Sequence, residues 1–264
     1  MIAAYGLMDD EEIELDIAAL ELSELDHEGV DLGPYVTLLQ EIAEHLAEAG
    51  ADADTPEQQA KALATVFSGE FGFAGDVDSY DAPLNADLIR VLDRRQGLPV
   101  SLSILYVAAA RRMGWTAFAL NTPGHVLVRI GEDMTVVIDP FNDGRIVPPE
   151  RLMALLARAL GGEVEPQAEH IAPMSNRAVL VRLLANQASR AEQAGDANRA
   201  LTIYDRMTQV APDNADGWWQ LARLQLQEGS VDATRLSLSS MLEVTRDPER
   251  REMVVAALEA IAAR

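Results

Sequence analysis

Apolar positions recur at helical spacing between Asp10 and Gly50, as Ile13, Ile17 and Leu20 and then as Tyr35, Leu38, Leu39, Ile42 and Leu46. The "GVDLGP" stretch between them separates two helices. A third helix follows in "TPEQQAKALATVFSGEFGF", with Thr55 as its cap, Pro56 at the first helical position and Gly69 or Gly72 at its end. In "NADLIRVLDRRQG" the spacing predicts a short helix capped by Asn85, buried through Leu88, Val91 and Leu92 and stopped by Gly97. Pro99 then opens a long apolar helix, because a residue without an N–H loses nothing in a first turn; Leu102, Leu105, Tyr106, Ala109 and Met113 form its stripe.

After Gly114 the period changes from helical to alternating. "WTAFALN", "GHVLVRI" and "MTVVIDPF" read as three strands, the last two joined through Gly131, Glu132 and Asp133. A three-residue turn there sets His125 opposite Asp139. It also puts Val126, Val128, Ile130, Met134, Val136 and Ile138 on a core face, and leaves His125 and Asp139 on a more polar one.

Beyond "IVPPERLMALLARALGG" and a polar linker to about Pro173, the pattern is all-helical. Gly195 and Gly229 lie 34 residues apart, the tetratricopeptide period. Leu184, Ala188, Ala200, Tyr204 and Pro212 fit one repeat. Trp218, Leu221, Ala222 and Gly229 fit a second, from which Thr234 and Arg246 depart, and a capping helix follows Pro248. The chain therefore reads as α+β with two domains, residues 1–173 and residues 174–264: a helical N-terminal region and a helix-and-antiparallel-sheet core, then an all-α arm.

Charge sharpens this picture. Residues 1–60 hold 17 acids and no Lys or Arg, and the whole chain carries −22. Such a field repels phosphate backbones and anionic lipid, so neither nucleic acid nor a membrane surface is an expected partner. The main basic cluster is Arg90, Arg94, Arg95, Arg111 and Arg112. With no cysteine there is no disulfide, thiolate metal site or thiol nucleophile, and without a secretory leader or an apolar span of about 18 residues the expected location is the cytoplasm.

A His facing an Asp on neighbouring strands, beside the start of a buried helix, is the layout of a thiol protease or acyltransferase whose nucleophile sits on that helix. The third member is absent here. Ser101 is a weak substitute, because on a helix it points about 200° away from Pro99. The His125–Asp139 pair also has a purely structural reading, an imidazole held by a carboxylate to satisfy a strand end. His125, Asp139 and Asp143 lack the spacing of a metal site, and no metal or cofactor is expected. His27, His45 and His170 read as surface residues.

The segments "NADLIRVLDRRQGLPVSLSILYVAAARRMG", "PGHVLVRI" and "IDPFNDGR" together resemble the transglutaminase-like superfamily, in particular its bacterial SirB-type branch, where such a domain precedes tetratricopeptide repeats. The resemblance implies a papain-like core. It also implies that Pro99 stands where catalytic members carry the nucleophilic Cys of Gly-x-Cys, and that His125 and Asp139 occupy the other two triad positions as a relict dyad. Gly-x-Pro is similar to what the branch itself carries. The branch is linked to regulation of bacterial invasion genes, and a similar domain occurs in eukaryotic F-box proteins. The implied function is a non-catalytic regulatory or scaffolding module that binds a protein or peptide through the repeat arm, with Trp219, Trp218 and Tyr204 as candidate contacts. The alternative is a thiol-independent amidase or peptidase using His125 and Asp139.

Overall fold

The computed structural model describes residues 2–161, 165 and 167–262. By internal contacts the described residues divide into two units, one within 13–179 and one of residues 2–12 with residues 180–262.

In the first unit α1 (Leu15–Glu24) and α2 (Gly33–Ala49) precede α3 (Pro56–Ala64). Thr55 caps α3 by a reciprocal capping box with Gln58, and the chain continues through a π-helical stretch, Thr65–Glu70, to Gly72 at φ 73°. The next cap departs from expectation. Asp87, not Asn85, opens α4 (Leu88–Arg94) by accepting from the Arg90 amide. Asn85 lies fully buried in a 3₁₀ turn, Pro83–Ala86, with its amide donating to the Ser79 carbonyl. The helix closes at Arg95, in the left-handed region at φ 59°, and Gly97 instead belongs to a two-residue strand. That strand, β2 (Gln96–Gly97), pairs in parallel with β1 (Ala74–Gly75).

Then comes α5 (Pro99–Arg112), whose residues from Pro99 to Ala110 are all buried. A helix apolar on every side belongs at the centre of a core. Tyr106 stacks on Phe67 with ring centroids 4.3 Å apart. Its hydroxyl is buried, and among the described residues nothing pairs with it. Burial pushes that phenol far above its ordinary pKa. A buried donor without a partner destabilises, so Tyr106→Phe should stabilise the protein by about 1 kcal/mol, read as a higher midpoint in chemical denaturation; an unchanged or lower midpoint refutes it.

Four antiparallel strands follow in sequential order, β3 (Ala117–Leu120), β4 (Leu127–Ile130), β5 (Val136–Asp139) and β6 (Arg145–Ile146). The β4–β5 register differs from the expected one. Ile130 pairs with Val136 and Val128 with Ile138, so residues 131–135 form a five-residue loop and Met134 is 71% exposed there rather than part of the core face. Val126, Val128, Ile130, Val136 and Ile138 are buried. The opposite face is not left to solvent either: α6 (Pro149–Ala159) lies over it, and Leu152 and Leu156 pack with Leu120, Leu127 and Val147 in a second small core.

Of the histidines expected at the surface, His27 is half-buried with Nε2 2.5 Å from Asp87 Oδ2, which ties the segment after α1 to the α4 cap. His45 is exposed beside Glu70, and His170 accepts the Gln167 amide. The arginine cluster is dispersed into separate partnerships. Arg112 grips the buried Asp16 at 2.5 and 2.8 Å, Arg94 meets Asp76 at 2.7 Å, and Arg95 lies over the Phe73 ring.

α7 (Asn176–Gln193) contains the division between the units. The second unit continues with α8 (Ala197–Val210), α9 (Ala215–Gln227), α10 (Val231–Val244) and α11 (Pro248–Ala262). Gly195 and Gly229 turn the chain at φ 77° and 79° between α7 and α8 and between α9 and α10, one full repeat apart. Thr234, where the repeat pattern favours Ala, is buried with its hydroxyl donated to the Ser230 carbonyl one turn back. The first residues of the chain belong to this unit, with Ile2 and Tyr5 buried and Gly6 pressed so close to the Gln209 carbonyl that a Cβ would stand 2.5 Å from it. Among the described residues no helix is long and apolar enough to cross a membrane.

Candidate functional site

The hairpin and α5 assemble the site. His125 Nε2 lies 2.8 Å from Asp139 Oδ1, with the imidazole 25% and the carboxylate 5% exposed. In the observed register Asp139 falls level with Leu127, two residues from His125, so the imidazole reaches its partner diagonally along the shared face. Parity preserved the pair where register did not.

Asp139 is also the first residue of an Asx turn. Pro140 starts a 3₁₀ turn, Pro140–Asn142, and the Asp139 carboxylate accepts from the Phe141 amide at 3.1 Å, the Asn142 amide at 3.3 Å and Asn142 Nδ2 at 2.6 Å. Burial pushes this carboxyl up, but the hydrogen bonds from His125 and Asn142 outweigh it and hold the group below the ordinary Asp range. An acceptor surrounded by donors stays ionised, so Nε2 of His125 carries the proton that Asp139 receives. In the neutral ring Nδ1 is then the nitrogen with a lone pair.

Pro99 is the buried first residue of α5. One turn on, Ser103 donates to the carbonyl of Val126, the neighbour of His125, at 3.5 Å. Residues four apart share a helix face, so the face that carries Pro99 is the one α5 turns towards this end of the hairpin. Ser101 lies elsewhere on the helix, wholly buried, with its hydroxyl donated to the Asn85 carbonyl at 2.8 Å. Asp143 has a left-handed backbone and pairs with Arg145.

Several participants were not picked out from the sequence. Phe141 sets its ring edge-on to His125, with centroids 5.6 Å apart, and Tyr80 packs on Phe141 in turn. Gly75 lies so close to Phe141 that a Cβ would stand 2.5 Å from its ring and its carbonyl oxygen. The Asp-Pro pair in "IDPFN" is a legible signal for the Asx turn; the Gly75 contact joins segments far apart in sequence and has none. His125 also opens onto a cavity of about 370 Å³ whose walls include Tyr80, Pro123, Leu127, Leu155 and Arg158.

In the helical arm Trp219 lines a groove of about 310 Å³ together with Arg223, Leu226, Leu238 and Ile261. Trp218 is half-buried and its indole donates to the Pro212 carbonyl at 2.7 Å. Tyr204 is buried, its hydroxyl given to Glu192, which also takes both contacts of Arg223 at 2.6 and 2.8 Å.

Comparison with known proteins bears on both parts. The Transglutaminase-like superfamily profile matches residues 34–185, and the Tetratricopeptide repeat profile matches residues 191–258. A UPF0162 protein of Xylella fastidiosa (strain 9a5c) is 30% identical over 255 residues, covering 95% of this chain and 91% of the relative. A UPF0162 protein of Pseudomonas aeruginosa is 31% identical over 213 residues, covering 80% and 78%. F-box only protein 21 of Mus musculus is 33% identical over 78 residues, 30% of this chain and 12% of that one. Because the first profile spans more than half of the residues and the bacterial relatives align over most of their length, the chain belongs to the transglutaminase-like superfamily, with the UPF0162 proteins of the SirB type as its relatives and tetratricopeptide repeats behind the domain.

Proposed function

We propose that this protein is a cytoplasmic regulatory or scaffolding module, a transglutaminase-like domain retired from thiol catalysis whose helical arm binds a protein partner. Pro99 carries the reading. At the position that the family resemblance equates with the catalytic Cys stands a buried proline, in a chain without any cysteine, so no thiolate is available for acyl transfer. Repeat arrays of this kind present grooves to helices or extended peptides, and Trp219 beside Arg223 offers an aromatic and a cationic contact in one such groove.

The test compares the intact chain with Trp219→Ala and His125→Ala as baits, each checked for unchanged helicity, with bound proteins identified by mass spectrometry. A discrete partner retained by His125→Ala and lost with Trp219→Ala is the expected result. Retention by both variants, or no partner above background, overturns the arm as the binding site.

A second reading has one observation in its favour: the His125–Asp139 dyad is intact and opens onto a cavity. It is a thiol-independent amidase or peptidase in which His125 activates water. Such an enzyme would lose hydrolysis in His125→Ala and show a pH–rate profile bending between about pH 5 and 8. The buried Ser101 hydroxyl, spent on Asn85, speaks against a serine nucleophile.

A further inference from the structure

We propose that the cavity beside His125 is a receptor for an N-acylated aliphatic α-amino acid, the group found at the C-terminus of a polypeptide. This goes beyond the arm-binding reading and does not depend on it. The chain has about twice as many acids as bases, yet none of the residues lining this cavity is acidic. Its charged group is Arg158, which is exposed and, among the described residues, has no carboxylate partner. One guanidinium presents a planar fork of donors that fits a carboxylate, and its single fixed charge matches a monoanion better than a doubly charged phosphate.

The remaining chemistry is divided between the other walls. Leu127, Leu152, Leu155 and Leu156 supply an aliphatic floor, which suits a Leu-, Ile- or Val-sized side chain. His125 lines the cavity and has given Nε2–H to Asp139; among the described residues nothing pairs with its Nδ1, whose lone pair accepts from a donor. Carboxylate, aliphatic side chain and an N–H are together what an N-acyl amino acid offers. At about 370 Å³ the cavity is at the small end of ligand pockets, room for one residue and its flanking amide rather than a long segment.

Isothermal titration of the full-length protein with N-acetyl-leucine tests this. Leucinamide, glycine and N-methyl analogues of that probe remove in turn the carboxylate, the side chain and the N–H. Binding of N-acetyl-leucine, weakened about tenfold or more by each of the three deletions, is the expected result, since each removes one polar or apolar anchor. Arg158→Gln, on an exposed helix position where folding is not at stake, should weaken N-acetyl-leucine about tenfold while leaving the leucinamide unaffected. Leu155→Trp, which fills the cavity, should abolish binding. A capped tripeptide ending in leucine separates the sources: binding at least as tight as N-acetyl-leucine marks a polypeptide C-terminus, and exclusion marks a free N-acyl amino acid. No heat at millimolar N-acetyl-leucine, or equal affinity in wild type and Arg158→Gln, overturns the proposal.

Discussion

Asp139→Ala should destabilise the first unit by about 3 kcal/mol, measured as a lowered denaturant midpoint, because it strands a set of donors around a buried acceptor. Four donors converge on that carboxylate: His125 Nε2, the amides of Phe141 and Asn142, and Asn142 Nδ2. Alanine replaces none of these bonds. The Asp139→Asn variant keeps an oxygen for some of them and should cost far less. His125→Ala should cost less as well, since the imidazole is 25% exposed and its loss leaves an acceptor still held by three donors. The pH dependence has a definite sign. Folding lowers the Asp139 pKa, so the ionised form is favoured in the native state. Its contribution is complete above the ordinary value of 3.8 and is lost as pH falls through the lower folded value. The stability difference between wild type and Asp139→Ala should therefore shrink on acidification below about pH 4. A difference that is constant with pH would mean that folding does not lower the Asp139 pKa.

The second large effect is expected at Asp76→Ala. Asp76 is 3% exposed and takes Arg94 at 2.7 Å and the Ser79 amide at 2.8 Å. Arg94 reaches on to the Asn85 side chain at 2.7 Å. Asn85 in turn receives the Leu98 amide and the Ser101 hydroxyl on its carbonyl, the two groups flanking Pro99. The hydrogen bond from the Arg94 guanidinium, with those from Ser79 and Asn85, outweighs burial and holds Asp76 below its ordinary pKa. Removing one member of a buried pair costs about 3–5 kcal/mol, and Arg94, 31% exposed, can rehydrate part of its charge, so about 3 kcal/mol is expected. The loss should also be local: the Leu98 amide should exchange with solvent faster than in wild type. Arg90→Ala is the control, since the Arg90–Asp93 pair is exposed and should contribute less than about 1 kcal/mol. Equal costs for Asp76→Ala and Arg90→Ala would remove Asp76 from any role in fixing the Pro99 turn.

These two networks mark how far the candidate site was legible. His125, Asp139 and Pro99 could be picked out because strand alternation and a Gly-x-Pro helix start are local signals. The positioning partners could not. Asn85 reads as a cap by composition, yet its side chain is drawn into the Asp76–Arg94 network and the neighbouring Asp87 caps the helix instead. Gly97 reads as a helix stop, and its position is instead set by a parallel pairing with Gly75 across 22 residues of chain. Arg158 and Tyr80 meet His125 only through the fold.

By itself the sequence determined the α+β order of elements, the helix cap at Thr55, the start of α5 at Pro99, the 34-residue helical repeat and the absence of any thiol. Each of these is written in a periodicity or a residue type that acts within a few positions. Tertiary structure decided the hairpin register, the second core under α6, the membership of residues 2–12 in the helical unit and the shape of the cavity at His125. The register shows the reason most plainly. A strand pattern repeats every two residues, so a slip of two leaves every side chain on its own face, and only the five-residue loop and the packing around it choose between registers that the pattern cannot distinguish.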